Sequence, residues 1–247
     1  MIRTLARSTA AVALLCATTP RLATAQAAGA PRIAVTIGPG LQLTTTSATT
    51  TTTFEAYSEE GTLTAGYSAK YQPTLEGGVV VRLRGALGVG IAGSYLHDDS
   101  DADIHALVPH PFAFNQPRAV EGTTPALHEQ TAIHLQAIYW IERSPRFDLL
   151  ISGGPSFFHA TQDFVTDVTY SESPPYDTAT FTGAAVVRDH QSAVGGNVGV
   201  EAGWRLTPHV GVAAVGRYSR STADFTAENA EVVLGGLRLS GALRLLF

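Results

Sequence analysis

The C-terminal segment of the chain, from Val233 to Phe247, alternates between two kinds of position. Its odd-numbered positions are all apolar or glycine, and its even-numbered positions include Arg238, Ser240 and Arg244. A period of two places these sets on opposite faces of a β-strand. Because the segment is long and has one apolar and one charged face, it predicts a strand of a transmembrane β-barrel, in which about ten tilted residues cross the bilayer.

The same alternation recurs along the chain and predicts eight strands. They are residues 32–46, 63–83, 87–97, 129–142, 147–165, 191–206, 210–221 and 233–247. The second is predicted as one continuous strand from Leu63 to Leu83, long enough for its first half to project above the membrane. The threonine-rich segment from Thr44 to Thr53 either continues the first strand upward to pair with the second or forms a flexible loop tip.

The connections between these segments alternate between short and long. Tight turns are predicted at Gly85, Pro145 and Pro208, whereas residues 47–60, 98–128, 166–190 and 222–231 are long, polar loops. An up-and-down barrel has this pattern when its short turns face the periplasm and its long loops face outside. The predicted fold is therefore all-β, an eight-stranded antiparallel up-and-down transmembrane β-barrel.

Aromatic residues at the strand ends predict two girdles of the kind that lie at the membrane surfaces. Tyr139, Phe147, Trp204 and Phe247 fall near the turns. The girdle near the long loops comprises Tyr67, Tyr71, Tyr95 and Tyr218.

The N-terminus predicts export. Arg3 and Arg7 precede a short apolar stretch that is followed by small-x-small cleavage sites, so residues 1–27 are predicted to be a Sec signal peptide cleaved near 25 or 27, and residues 28–247 the barrel domain. The sole cysteine, Cys16, is expected to leave with the signal, which excludes disulfide and thiol chemistry. Removing three arginines with the signal leaves 13 basic against 21 acidic residues, a net charge of −8 that argues against a nucleic-acid partner.

With the eight strands and the aromatic terminus in place, the chain resembles the superfamily of small outer-membrane β-barrels that includes the OmpA transmembrane domain and OmpX. The resemblance implies a monomer in the outer membrane of a Gram-negative bacterium, in contact with membrane lipids and lipopolysaccharide. It also implies recognition of the terminal strand by the assembly machinery, through Leu243, Leu245 and Phe247. No peptidoglycan-binding domain is expected after Phe247, which departs from OmpA.

Charged residues on the inward faces predict a closed lumen. An eight-stranded barrel is only wide enough to be filled by side chains, and a charge there is costly unless it is paired. We therefore expect a network of salt bridges inside the barrel, with a small selective porin as the alternative. The predicted network consists of Glu76, Arg82, Asp148, Glu201, Arg205, Arg217, Arg238 and Arg244.

Candidate chemistry is sparse, and no cofactor is expected. His97, Asp98, Asp99, Asp101, Asp103 and His105 form either a divalent-cation cluster or, as we favour, a solvated acidic loop. A lipid-modifying enzyme or a protease would need His, Ser or Asp at the outer rim, where His97, His159, Asp163 and Ser219 are predicted, yet no recognisable spacing links them. A soluble lipocalin-like barrel is disfavoured because the aromatic residues form two belts and not one pocket.

The favoured function is therefore a non-enzymatic envelope protein with a structural or surface-interaction role. Its protruding second strand and its loops, among them the Tyr- and Pro-rich stretch from Tyr170 to Tyr176, are expected to form an external platform for an unidentified extracellular ligand.

Overall fold

The computed structural model describes residues 32–44, 46–226 and 230–247, so the predicted signal peptide, residues 1–27, lies outside the described residues. Twelve β-strands occur in the described part: β1 (Ile33–Gln42), β2 (Thr46–Ala56), β3 (Glu59–Ala69), β4 (Gln72–Arg84), β5 (Leu87–Asp98), β6 (Asp101–Val108), β7 (Arg118–Pro125), β8 (His128–Ser144), β9 (Phe147–Glu172), β10 (Ala179–Arg205), β11 (Val210–Phe225) and β12 (Ala230–Leu246). None of these residues belongs to a helix long and apolar enough to cross a membrane.

Eight of the strands close into an antiparallel barrel in the order β1-β12-β11-β10-β9-β8-β5-β4. Closure is made by β1, which pairs with β12 on one side and with β4 on the other. The predicted fold class, an eight-stranded antiparallel barrel, is confirmed. The terminal strand pairs with β11 along its length, from Val210 opposite Leu245 to Phe225 opposite Ala230, and with β1 from Leu246 back to Arg238.

Alternation sorts side chains between the two faces of the barrel wall as expected for a β-strand. On β8, Ile133 and Leu135 point outward and are exposed, whereas His134 between them is buried in the lumen. On β9, Phe157 is 47% exposed while its neighbour Phe158 is 2% exposed. The outer wall is consequently a band of aliphatic and aromatic side chains, and the lumen holds the polar and charged ones together with a small apolar cluster that includes Val80, Trp140 and Leu150.

The predicted single strand from Leu63 to Leu83 is wrong: the chain breaks there into β3 and β4, which belong to different sheets. Tyr71, with a φ of 55°, lies between them in the left-handed region, which interrupts the extended backbone. The apolar positions keep the same parity across the break but meet different surroundings. Leu63 is buried in a protein core, whereas Leu75 points outward from the barrel.

The long loops predicted outside the barrel are largely β-structure. Strands β2, β3, β6 and β7 form a second sheet in that order, and the pairing of β9 with β10 continues from the barrel up to Glu172 and Ala179. Of the two alternatives for the threonine-rich segment, strand pairing is the one observed, since β2 pairs with β3. We call the four-stranded sheet, together with the outer parts of β9 to β12, the extension.

The extension is built around its own hydrophobic core. The core contains barrel-wall residues such as Ala132 and Phe158 together with residues of the second sheet such as Leu63 and Ile104, so it lies across the outer mouth of the barrel. Its largest buried members are Tyr67, Phe158, Phe164 and Phe225. This core both fixes the second sheet on the barrel and covers the polar lumen.

Candidate functional site

Asp148 is the centre of the ion-pair network at the turn end of the lumen. It is fully buried, accepts a hydrogen bond from Nη1 of Arg244, and lies 3.2 Å from Nη2 of Arg205. Nε of Arg244 is 3.3 Å from Oε1 of Glu201. Arg244 therefore lies between two acids on neighbouring strands, and Asp148 lies between two guanidinium groups. This arrangement offsets the desolvation of all four charges.

A second pair lies further up the lumen. Nη1 of Arg217 is 3.4 Å from Oε2 of Glu76, which also accepts a hydrogen bond of 3.2 Å from Ser240. The buried Arg238 differs from the prediction, because its hydrogen-bond partners are neutral: Nε donates to Oε1 of Gln42 at 3.0 Å and Nη1 donates to Ser94.

The remaining predicted lumen residue, Arg82, lies at the turn end of the barrel. Its Nη1 is 2.9 Å from Oε1 of Glu142, and its guanidinium carbon lies 4.5 Å from the ring centroid of Trp140. Glu142 also approaches Arg205, at 3.5 Å, so it joins the network although it was left out of the predicted set. The available signal was its even-numbered position, which places Glu142 on the inward face of its strand.

The lumen is packed with these side chains. A cavity of about 20 Å³ remains beside Gln136, Glu201 and Arg217, which is room for about one water molecule. Above the polar layer, the ring of His134 contacts Phe158 of the extension core, with ring centroids 6.0 Å apart. The described residues thus place a polar layer and an apolar layer in series along the barrel axis.

Seven of the eight predicted girdle residues lie on the outer wall or at its ends, and one does not. Tyr67 is buried in the extension core, and its hydroxyl accepts a hydrogen bond of 2.7 Å from the backbone N–H of Val165. Its place in the girdle is therefore a wrong prediction, caused by the break at Tyr71. Phe147 is half-buried against Trp204. The exposed members are Tyr71, Tyr95, Tyr139, Trp204, Tyr218 and Phe247.

The four rim residues considered for catalysis are not brought together. Ser219 points into the lumen and is fully buried, whereas His159 points outward, where Nδ1 lies 3.0 Å from Oγ of Ser192. Asp163 forms an ion pair with Arg188, in which Nε donates to Oδ1 at 2.7 Å. That hydrogen bond lowers the pKa of Asp163.

His97 is held between two acids and does not contribute to a metal site. Its ring nitrogens lie 2.9 Å from Oε1 of Glu129 and 3.1 Å from Oδ2 of Asp99, and the hydrogen bond with Glu129 raises the pKa of His97. In the described part of the chain, no group of three or more His, Cys, Asp or Glu side chains could hold a metal ion.

The farthest point of the extension carries exposed aromatic residues that the sequence analysis did not single out. The loop from Pro109 to Pro117, between β6 and β7, exposes Phe112 by 76% and Phe114 by 72%. The ring of Phe112 contacts that of Tyr176, from the turn between β9 and β10, with centroids 5.4 Å apart. Two phenylalanines in a Pro-flanked polar segment were the signal that could have found this surface.

A buried arginine fixes this loop to the neighbouring hairpin. Arg118 is 5% exposed, and its Nη1 lies 2.6 Å from Oε2 of Glu172. The same guanidinium donates to two backbone carbonyls, at 3.0 Å to Tyr176 and at 2.8 Å to Pro109. One side chain therefore ties together both loops that carry the aromatic residues.

The turn between β2 and β3 joins the same assembly. The hydroxyl of Tyr57 donates to Glu172, and this hydrogen bond raises the pKa of Tyr57 to about 12. Four of the five described non-glycine residues with positive φ lie here: Tyr57, Ser58, Asn115 and Tyr176. Such conformations cost of order 1–3 kcal/mol each and persist only where the surroundings hold them. We call Tyr57, Phe112, Phe114 and Tyr176, held by Arg118 and Glu172, the distal platform.

Comparison with known proteins yields structural neighbours only. No protein-family model and no curated protein sequence matches the chain. Neisserial surface protein A is 13% identical, with coverage of 89% of this chain and 99% of its own and a TM-score of 0.45. The outer membrane protease OmpT from Escherichia coli is 11% identical (87% and 97% covered, TM-score 0.46), and the outer membrane protein OprG from Pseudomonas aeruginosa is 10% identical (88% and 96%, TM-score 0.47).

These neighbours belong to the group that the sequence resembles, the small outer-membrane β-barrels. Identities this low identify no shared site, and the neighbours include a protease as well as proteins that are not named as enzymes. The barrel of this chain is established by its own strand pairing.

Proposed function

We propose that the chain is a non-enzymatic outer-membrane β-barrel with a closed lumen, which presents the distal platform to a protein outside the cell. The apolar outer wall, about ten residues tall between Phe147 and Phe157, fits the hydrocarbon thickness that a tilted strand crosses. The salt-bridged interior fits a barrel whose wall serves as an anchor. The extension is then the part that works outside the membrane.

The observation that carries this proposal is the exposure of Phe112 and Phe114 on a rigid support. Two phenylalanines in water leave apolar area that a partner can bury, and aromatic residues are frequent binding hot spots. Because Arg118 and Glu172 already order the loops, little conformational entropy is lost on binding.

Charge around the platform favours a partner with a basic surface. Arg118 and Arg188 in the extension are both neutralised by ion pairs. Among the described residues of the extension, acidic side chains that form no ion pair predominate: Glu55, Glu59, Glu60, Asp101, Asp103 and Asp167. We therefore expect a protein with an apolar pocket rimmed by lysine or arginine, because complementary charge speeds encounter and excludes acidic competitors.

Orientation in the membrane is tested by cysteine labelling, since the mature chain has no cysteine of its own. Ala113→Cys, in the platform loop, should react with a membrane-impermeant maleimide on intact cells. Thr207→Cys, in a turn at the other end of the barrel, should react only after lysis. Labelling of Thr207→Cys on intact cells, with Ala113→Cys protected, would show that the barrel has the opposite orientation to the one proposed.

Binding is tested by selecting from a random peptide library displayed on phage, with the refolded full mature chain as the target. Selected peptides should be rich in aromatic or aliphatic residues flanked by Lys and Arg, and they should not bind the double variant Phe112→Ser/Phe114→Ser. The matched control is Val186→Ser/Val187→Ser, which removes two exposed apolar side chains from β10 and should leave binding unchanged. Equal loss in both double variants, or selection of acidic peptides, would refute the platform as the binding surface.

A further inference from the structure

A groove of about 360 Å³ runs along the outer wall of the barrel between β8, β9 and β10. Its walls are apolar over most of their length, and they are formed chiefly by Ile133, Phe157 and Val194. Its upper end is polar, where Thr131, His159 and Ser192 line it. Grooves of this volume, apolar with a few converging polar groups, are typical of ligand sites.

The position of the groove along the strands determines what surrounds it. Phe157 and its partner Val194 lie about ten residues from Phe147 and Trp204, which pair at the turn end of the same two strands. If the barrel lies in the outer membrane as proposed above, the groove is at the external end of the apolar band. It then opens into the outer leaflet and not into water.

The polar end can supply hydrogen bonds directed toward the leaflet. Nδ1 of His159 is satisfied by Oγ of Ser192, and its Nε2 has no partner in the part of the chain that the structure describes. The ring of His190 stacks on that of His159, with centroids 6.3 Å apart and an interplanar angle of 1°, and is itself held by Thr161. This arrangement fixes a row of imidazole and hydroxyl groups directly above an apolar channel.

We infer that the groove is a binding site for one acyl chain of lipopolysaccharide, with Thr131, His159 and Ser192 contacting the carbonyl and hydroxyl groups where that chain joins the sugar. The inference rests on the proposed outer-membrane location. The groove is continuous with the apolar band that lipid covers, which identifies the occupant as a lipid. Because the groove lies in the outer leaflet, where the lipid is lipopolysaccharide, that lipid is the expected occupant.

The experiment places a tryptophan in the groove and measures quenching by brominated lipid chains. The full mature chain carrying Trp140→Phe, Trp204→Phe and Phe157→Trp, which leaves the groove reporter as its single tryptophan, is refolded into phosphatidylcholine vesicles with brominated chains, and purified lipopolysaccharide is then titrated in. The control reporter, Leu239→Trp in the same background, lies on the outward face of β12. The fluorescence of each reporter measures which lipid touches that part of the wall.

Lipopolysaccharide should relieve quenching at Phe157→Trp well beyond its share of the lipid, whereas at Leu239→Trp the relief should follow simple dilution. Adding His159→Ala and Ser192→Ala should weaken the preference at the groove by about tenfold, since two hydrogen bonds are lost. Proportional relief at both reporters, or the same excess with unbrominated phosphatidylglycerol, would overturn the inference. Absence of quenching at both reporters would instead contradict the membrane location itself.

Discussion

At the scale of single residues, Arg118 is the side chain on which the distal platform depends. Replacing it with methionine keeps much of the volume but leaves two carbonyls without their donor and Glu172 with only the hydrogen bond from Tyr57, a loss of about 3–5 kcal/mol for a buried ion pair. We expect the loop around Phe112 to become accessible to proteinase K. The heat-modifiable migration of the barrel on gels should stay that of the wild type.

The matched control for this variant is Arg188→Met, which breaks an ion pair whose arginine is half-exposed. Its effect on platform cleavage should be small, because exposed ion pairs contribute about 0–1 kcal/mol. Equal cleavage in the two variants would show that the platform is ordered by something other than Arg118.

Asp163 gives a pH-dependent prediction outside the membrane-spanning part. Its pKa is lowered by the hydrogen bond from Arg188, so the native state favours its ionised form. The sign follows: the contribution to stability is present above the ordinary pKa of about 4 and is lost as the pH falls through the lowered value. Proteolysis of the β9–β10 hairpin should rise in that acid range in the wild type and be less dependent on pH in Asp163→Asn.

Residue partners were the least predictable feature from the sequence. Parity placed Glu76, Glu201 and the arginines in the lumen, but which acid meets which arginine depends on barrel register. Glu201 was expected to be a main neutralising group, whereas Asp148 holds that place by reaching both Arg244 and Arg205. The same limit hid Ser192, which meets His159 only because β9 and β10 pair in one register.

At the scale of elements, β9 passes through two environments as one strand, with a shift in its register against β10 between Val165 and Asp167. In its barrel part, the outward Phe157 is exposed and the inward Phe158 is buried, while in its outer part Phe164 is fully buried in the extension core. Alternation predicts which residues share a face and does not predict what that face contacts. For this reason the sequence predicted the barrel parts of β8 to β12 well, but it assigned β3 to the barrel and assigned β6, β7 and the outer parts of β9 and β10 to loops.

This division of β9 predicts that the extension can be weakened separately from the barrel. Phe164→Ala removes a large side chain that contacts Tyr67 and Phe225, and should destabilise the extension by about 3–5 kcal/mol. Hydrogen exchange of β3 and β6 should accelerate, with β1 and the barrel part of β12, residues 238–246, unchanged. The control is Phe157→Ala, seven residues away on the outer wall, which should leave both regions protected. Accelerated exchange throughout the chain in Phe164→Ala would show that the extension and the barrel unfold as one cooperative unit.

At the scale of the whole molecule, two different layers lie in series along the barrel axis. The salt-bridged layer around Asp148 and Glu76 fills the lumen, and the apolar core of the extension covers its outer mouth. We expect either layer alone to obstruct ions, because one is packed with paired charges and the other excludes water. A pore must conduct with both layers in place, whereas an anchor for the extension need not conduct at all. The proposed function and the porin alternative therefore differ in whether ions pass while these layers are intact.

Planar-bilayer recording separates these possibilities with three proteins. The wild type should not conduct. A variant with short Gly-Ser linkers in place of residues 46–69 and 101–125 loses the second sheet but keeps all eight barrel strands, and it should also stay closed because the ion pairs remain. Adding alanine at Glu76, Arg217 and Arg238 and also at Asp148, Glu201 and Arg244 removes both parts of the salt-bridged layer from that variant and should produce steady conductance. Conductance from the wild type would support the porin. If the wild type stays closed and the linker variant conducts, the salt-bridged layer has failed to block ions by itself, and the apolar core is the actual seal.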